Sequence, residues 1–255
     1  MTSIILTVRP EPDGALDVEA LARRGVPAMA APLMRPVYEN EVFLADPRLA
    51  DGASHGGVIV TSRHAVTGLL RASGGAVGDG WRDLPVFAVG RATGRAAAAA
   101  GFRDVTIGSG GGAGLVPLIT ARAGEFTAPL LWPAARDRSF DMTAALDGVA
   151  PVRMAQLYRM EPVPAFADSA RNALADGGVL AVILMSARSA GLFCDRLAAA
   201  GLEDMRAGIA VIAGSRAIAD AAGTGWREVY VAKRPTRARL LAIAALLYAR
   251  RDRLA

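Results

Sequence analysis

The sequence predicts a parallel α/β protein built as two similar halves. Three observations predict it: β-rich apolar runs alternate with helical stretches, segments recur at a constant displacement of 124 residues, and small polar residues follow the strand runs. Strands alternating with helices imply parallel sheets covered on both faces. At 255 residues the chain reaches the upper limit of one hydrophobic core, so two domains are preferred.

In chain order, Ile4 to Val8 is a short β-rich run, Leu16 to Arg24 a helix closed by Gly25, and Val26 to Met34 a second extended segment. Gly57 to Val60 is a buried strand leading into a helix that begins near Ser62. The strand Val86 to Val89, the alanine-rich helix Thr93 to Ala100 and the run Val105 to Ile107 follow. A second copy continues through Leu130 to Trp132, Met142 to Leu146, Val152 to Tyr158, Val179 to Met185, Ile209 to Ala213 and Glu228 to Val231. Gly101-Phe102-Arg103-Asp104-Val105 recurs as Gly225-Trp226-Arg227-Glu228-Val229, and the same displacement pairs Ser62 with Ser186 and Gly90 with Gly214. A repeat of that length is domain-sized, far longer than a solenoid unit. Leu240 to Ala249 is about half a bilayer span and is bracketed by Arg239 and Arg250, so it reads as a docked C-terminal helix.

Composition narrows the chemistry. The excess of 29 Lys+Arg over 24 Asp+Glu favours an anionic partner. Met1 to Leu6 lacks the features of a secretory signal, which gives a cytoplasmic expectation. Cys194 is the single cysteine and is expected in the core. With His55 and His64 the only histidines, no metal cluster is expected. Gly108 to Gly114 is followed by Leu115 and Val116 rather than Lys and Ser/Thr, so it reads as a flexible surface loop and not a phosphate loop. No nucleophile elbow, catalytic triad or paired acidic motif stands out.

Small polar residues collect where parallel strands end, the place where such sheets bind ligands. Thr7 and Arg9, Thr61 with Ser62 and Arg63, Gly90 and Thr93, Ser186 with Arg188, and Gly214 with Ser215 all fall there. Taken singly, such Ser and Thr residues are ordinary helix N-caps. His64 is expected on the first helical turn at the surface. Tyr158, whose repeat mate is Met34, is the better candidate for chemistry, against the alternative of an ordinary half-buried tyrosine.

Leu6-Thr7-Val8-Arg9-Pro10, Val58 to Val66, Val89-Gly90-Arg91-Ala92-Thr93, Gln156-Leu157-Tyr158, Leu184-Met185-Ser186 and Ala213-Gly214 together resemble uroporphyrinogen-III synthases along the full chain. The resemblance implies two flavodoxin-like domains with parallel sheets, joined by two extended connectors, with the active site in a cleft between them. Domain one would comprise residues 1–35 plus 163–255 and domain two residues 39–155, with connectors near 33–38 and 156–164. It implies a cofactor-free lyase of heme biosynthesis that cyclises hydroxymethylbilane, an octacarboxylate, with inversion of ring D through a spiro intermediate. Tyr158 would be catalytic. Substrate contacts would come from Arg9, Ser62, Arg63, Thr93, Arg138, Ser186, Gly214 and Ser215, in a monomer with no nucleic-acid or membrane partner. One departure is Ala217, where the second copy lacks the hydroxyl that Thr93 keeps. It supports an alternative: a non-catalytic, two-lobed binding protein for an anionic tetrapyrrole or other small polyanion. A nucleic-acid regulator ranks third, for want of a helix-turn-helix or zinc pattern.

Overall fold

The computed structural model describes residues 3–251. The chain divides into two compact units, one of Met1–Arg35 with Glu161–Ala255 and one of Pro36–Met160.

In the first unit β1 (Ile4–Thr7) lies between β2 (Ala28–Ala30) and β9 (Val179–Leu184), with β10 (Ala210–Ala213) and β11 (Glu228–Val231) beyond β9. Every pairing is parallel. All six residues of β9 are buried. Val182 and Leu184 enter one core with Leu6 and Val211, while Ala181 and Ile183 enter the other with Ile5 and Ile212. A strand apolar on both faces is stable only where both faces are covered. The C-terminal helix Arg237–Arg251 covers one of them through Leu240, Leu241, Ala244 and Leu247.

The second unit is built on β3 (Met34–Tyr38), β4 (Gly57–Val60), β5 (Val86–Ala88), β6 (Val105–Ile107), β7 (Leu130–Ala135) and β8 (Val152–Pro162), ordered β3-β8-β7-β4-β5-β6. The strands from β8 to β6 are parallel. Val58 and Val60 face one core and Ile59, with Phe87, the other. β3 and β8 run in opposite directions: the N–H of Glu39 donates to Leu157 and that of Val163 to Leu33. These two strands carry the chain from one unit to the other.

The repeat in the sequence is an equivalence of strands. A shift of 124 carries β4, β5 and β6 onto β9, β10 and β11, and carries β7 and β8 back onto β1 and β2. The orders β8-β7-β4-β5-β6 and β2-β1-β9-β10-β11 are therefore the same, the 2-1-3-4-5 order of flavodoxin-like sheets. The first unit takes two strands from the N-terminus and three from the C-terminal third.

Three details differ from the sequence expectations. The extended segment Val26 to Met34 divides into β2 and β3. Ala31 and Leu33 still donate to Thr7 and Val8, but Pro32 between them has no N–H and the ladder lapses. Cys194 is half-buried, its thiol donating to the Ala222 carbonyl at 3.2 Å, rather than packed in the core. The glycine-rich segment closes in a 3-10 turn, Gly112–Leu115, anchored by the buried Leu115.

Candidate functional site

The helices that follow β4 and β9 are capped in the same way in the two units. Ser62, after β4, N-caps the helix Arg63–Ala72, its Oγ accepting from the His64 N–H at 3.1 Å. Its repeat mate Ser186, after β9, caps the helix Ala187–Ala199 through the Ser189 N–H at 3.0 Å, with the two serine hydroxyls 2.7 Å apart. Ser215, after β10, caps the helix Arg216–Ala222 through the Ile218 N–H at 3.4 Å. Each serine satisfies an orphan helix N–H with an oxygen lone pair.

The third helix start differs between the units. Gly90 caps the helix Arg91–Ala99 without a side chain, and Thr93 sits buried in its first turn. In the first unit the helix begins one residue later relative to the repeat, so the cap is Ser215 and not Gly214. Ala217 is exposed. Gly214 is buried: a Cβ there would meet Ile218 at 3.4 Å and Pro235 at 3.8 Å.

Tyr158, on β8, is only 4% exposed, more enclosed than the alternative of an ordinary half-buried tyrosine would have it. Its ring centroid lies 6.5 Å from Tyr38 on β3 and 5.9 Å from His64 on the first turn after Ser62. The Tyr38 hydroxyl and His64 Nδ1 are 3.1 Å apart, and the Arg71 guanidinium lies 4.6 Å over the Tyr38 ring. His64 is thus a half-buried member of an aromatic group and not the surface residue expected, because the two tyrosines pack against it. Burial raises the Tyr158 phenol, with an opposing bond from the Ser62 hydroxyl, and burial also raises Tyr38. Burial, aided by the Arg63 charge, lowers His64. At neutral pH the group is two protonated phenols and a neutral imidazole. Tyr38 and the role of His64 were not found from the sequence, where 38, 64 and 158 lie far apart.

The arginines divide by partner. Arg9, after β1, pairs with Asp13 and, at 3.3 Å, with Asp17. Asp17 is 1% exposed and also takes the Thr7 hydroxyl at 3.2 Å and the Arg237 guanidinium. Arg63 is half-buried beside His64. Arg138, after β7, is exposed, bonded to the Arg136 carbonyl at 3.3 Å and 5.6 Å over the Trp132 ring. A further cluster not expected from the sequence surrounds Glu39, which takes Arg136 and Gln156, each at 2.9 Å, and Arg159. The Gln156 bond holds the Glu39 carboxyl below its ordinary value, with help from the Arg136 and Arg159 guanidiniums and against the opposing effect of burial. Among the described residues no three His, Cys, Asp or Glu side chains group to hold a metal, and no helix is long and apolar enough to cross a membrane.

These features define a class: a parallel α/β protein of two flavodoxin-like units whose strand ends carry serine hydroxyls and helix N-termini. The family model described as uroporphyrinogen-III synthase HemD matches residues 17–242, and the chain belongs to the uroporphyrinogen-III synthase family. Among solved structures it is similar to uroporphyrinogen-III synthetase from Helicobacter pylori, with 17% identity over 96% of this chain and 100% of that one, at a TM-score of 0.61. It is also similar to a mutant uroporphyrinogen III synthase from Thermus thermophilus, with 20% identity over 96% of this chain and 99% of that one, at a TM-score of 0.52. No curated protein sequence matches it.

Proposed function

We propose that the chain converts hydroxymethylbilane to uroporphyrinogen III, inverting ring D through a spiro intermediate and using no cofactor. The family match over residues 17–242 carries this reading. In the reaction the terminal hydroxyl takes up a proton and departs as water, leaving an electrophilic azafulvene. The substituted carbon of ring D attacks it, the spiro centre fragments and recloses, and a proton is lost. The unaided bilane closes without inversion, so the protein must hold the conformation that favours the spiro route.

Tyr158 donates a hydrogen bond to the departing hydroxyl. Ser62 lies beside Tyr158: its Oγ accepts from the His64 N–H, and its hydroxyl opposes the rise that burial gives the phenol. A phenol raised by burial is a weak proton donor but a persistent hydrogen-bond donor. Its contribution is about 100-fold or less. Thr93, Ser186, Gly214 and Ser215 bind substrate carboxylates through hydroxyls and backbone N–H groups, with Arg9, Arg63 and Arg138 adding charge beside them. The enzyme acts as a cytoplasmic monomer.

The test is to supply fresh hydroxymethylbilane with and without the protein, oxidise the products and separate the isomers. Dominant type III only with protein is expected. Type I in both samples would favour the second reading, a binding protein that has lost turnover, for which the exposed methyl of Ala217 in place of a hydroxyl is the specific support.

A further inference from the structure

The chain's net positive charge falls within one segment of the sequence. From Val229 to Arg251 there are six cations and no acid, one more than the net charge of +5 carried by the whole chain, so the remainder is slightly negative. Within that segment the cations have different neighbours. Arg237 is bonded to Asp17 and to the Leu16 carbonyl. Arg251 reaches the Ser3 carbonyl and Tyr248. Lys233, Arg234 and Arg239 have no acidic partner among the described residues, and all three line one concavity of about 490 Å³ with Thr236 and a floor of Ala238 and Ala242.

This concavity lies where β11 hands over to the C-terminal helix, at the carboxyl edge of the same parallel sheet that carries Arg9, Ser186 and Ser215. The turn is fixed there: Ala232 donates to Ala213, Thr236 to Arg234, and Pro235 packs toward Gly214. Three like charges around one hollow repel each other unless an anion sits among them. Arg9, by contrast, is already answered by Asp13 and Asp17.

We propose that Lys233, Arg234 and Arg239 form a polycarboxylate subsite, taking an apolar ring frame on Ala238 and Ala242 and separate carboxylates on the three cations. The inference rests on the synthase reading for the identity of the ligand, which is then the substrate's own acetate and propionate groups. A compact single anion would leave most of a hollow this size unfilled. The cations are exposed, so binding here is screened by salt and falls as ionic strength rises.

The experiment titrates the full chain with an octacarboxylic porphyrin, which binds without turnover, and with its tetracarboxylic counterpart and inorganic phosphate. The variant is Lys233→Ser with Arg234→Ser and Arg239→Ser. The control, Arg23→Ser with Arg24→Ser and Arg171→Ser, removes the same charge elsewhere in the first unit. The pocket variant is expected to bind the octacarboxylate about tenfold more weakly, with a flatter salt dependence and an unchanged melting temperature, while the control binds as the parent does. The tetracarboxylate is expected to bind the parent more weakly and to lose less. Equal weakening in both variants would reduce the effect to net charge and overturn the subsite. Phosphate displacing the porphyrin at equal concentration would show a general anion hollow, which also overturns it. Isomer analysis of the parent separates the two proposals: type I product with weakened binding in the pocket variant sinks the synthase reading alone, and type III product with unchanged binding sinks the subsite alone.

Discussion

Asp17 is the buried carboxylate whose removal has a calculable effect. It is 1% exposed and receives the Thr7 hydroxyl, Arg9 and Arg237, which arrive from the loop of β1 and from the C-terminal helix. In Asp17→Asn the side chain keeps its shape, but the charge is gone and an NH2 faces two guanidiniums. Bonds to a charged group contribute about 1.5–3 kcal/mol each. Arg9 is 20% exposed and Arg237 41% exposed, so water recovers part of their loss. A net cost of about 3 kcal/mol follows, the low end for breaking a buried pair. For a unit of roughly 130 residues that lowers its melting temperature by about 10 °C. Denaturant melts read the units separately, because Trp226 belongs to the first unit while Trp81 and Trp132 belong to the second. The Trp226 transition should move and the other should not. A shift below about 1 kcal/mol would show that solvent already satisfies both arginines and that Asp17 does not hold the helix in place.

Tyr158→Phe should slow type III formation by about 10- to 100-fold with little loss of stability, and a rate equal to the parent's would remove the phenol from the mechanism. Ser62→Ala removes both an N-cap and the bond to that phenol, so it should cost about 1 kcal/mol of stability in denaturant melts and also slow the reaction, by less than Tyr158→Phe does. Burial lowers both His55 and His64 below the ordinary value of about 6.5, so their stabilisation is present above that pH and is lost as pH falls toward the lowered folded values. The second unit, which holds both, should lose melting temperature between about pH 7 and pH 5.5, and the double substitution to Gln should flatten that slope; an unchanged slope would assign it to other groups. In Gly56→Ala the added Cβ would lie 2.4 Å from the Ala128 carbonyl oxygen, and a loss of about 1–3 kcal/mol is expected in the same melts.

The strands were legible because parallel strands buried on both faces leave continuous apolar runs such as Val179–Leu184 and Gly57–Val60. β2 and β3 merged into one because Pro32, which breaks the ladder, lies inside a single extended stretch, and neither strand has a fully buried pattern. The serine caps were legible from position, since a cap is a local event spanning three residues. The surroundings of Tyr158 were not. Tyr38, His64 and Tyr158 meet only because β3 pairs with β8 and the Arg63–Ala72 helix packs nearby, a contact without any sequence spacing of its own. Asp17 was hidden for a similar reason: in a helical pattern it marks the solvent face, and it is buried because Arg237 arrives from 220 residues away.

The interleaved origin of the first unit sets an order of events on the ribosome. The second unit is complete once Met160 has emerged, and it can fold at once. β1 must wait for β9, roughly 170 residues later, which at about 5–20 residues per second is a delay of about 10–35 s. During that interval Ile4 to Thr7, fully apolar apart from its last residue, has one neighbour of its final sheet, β2, and none of its cover from the C-terminal helix. The segment Ile4 to Thr7 is therefore open to misassociation until β9 and the C-terminal helix arrive, and a nascent-chain binder that shields short apolar segments would act on it in that interval.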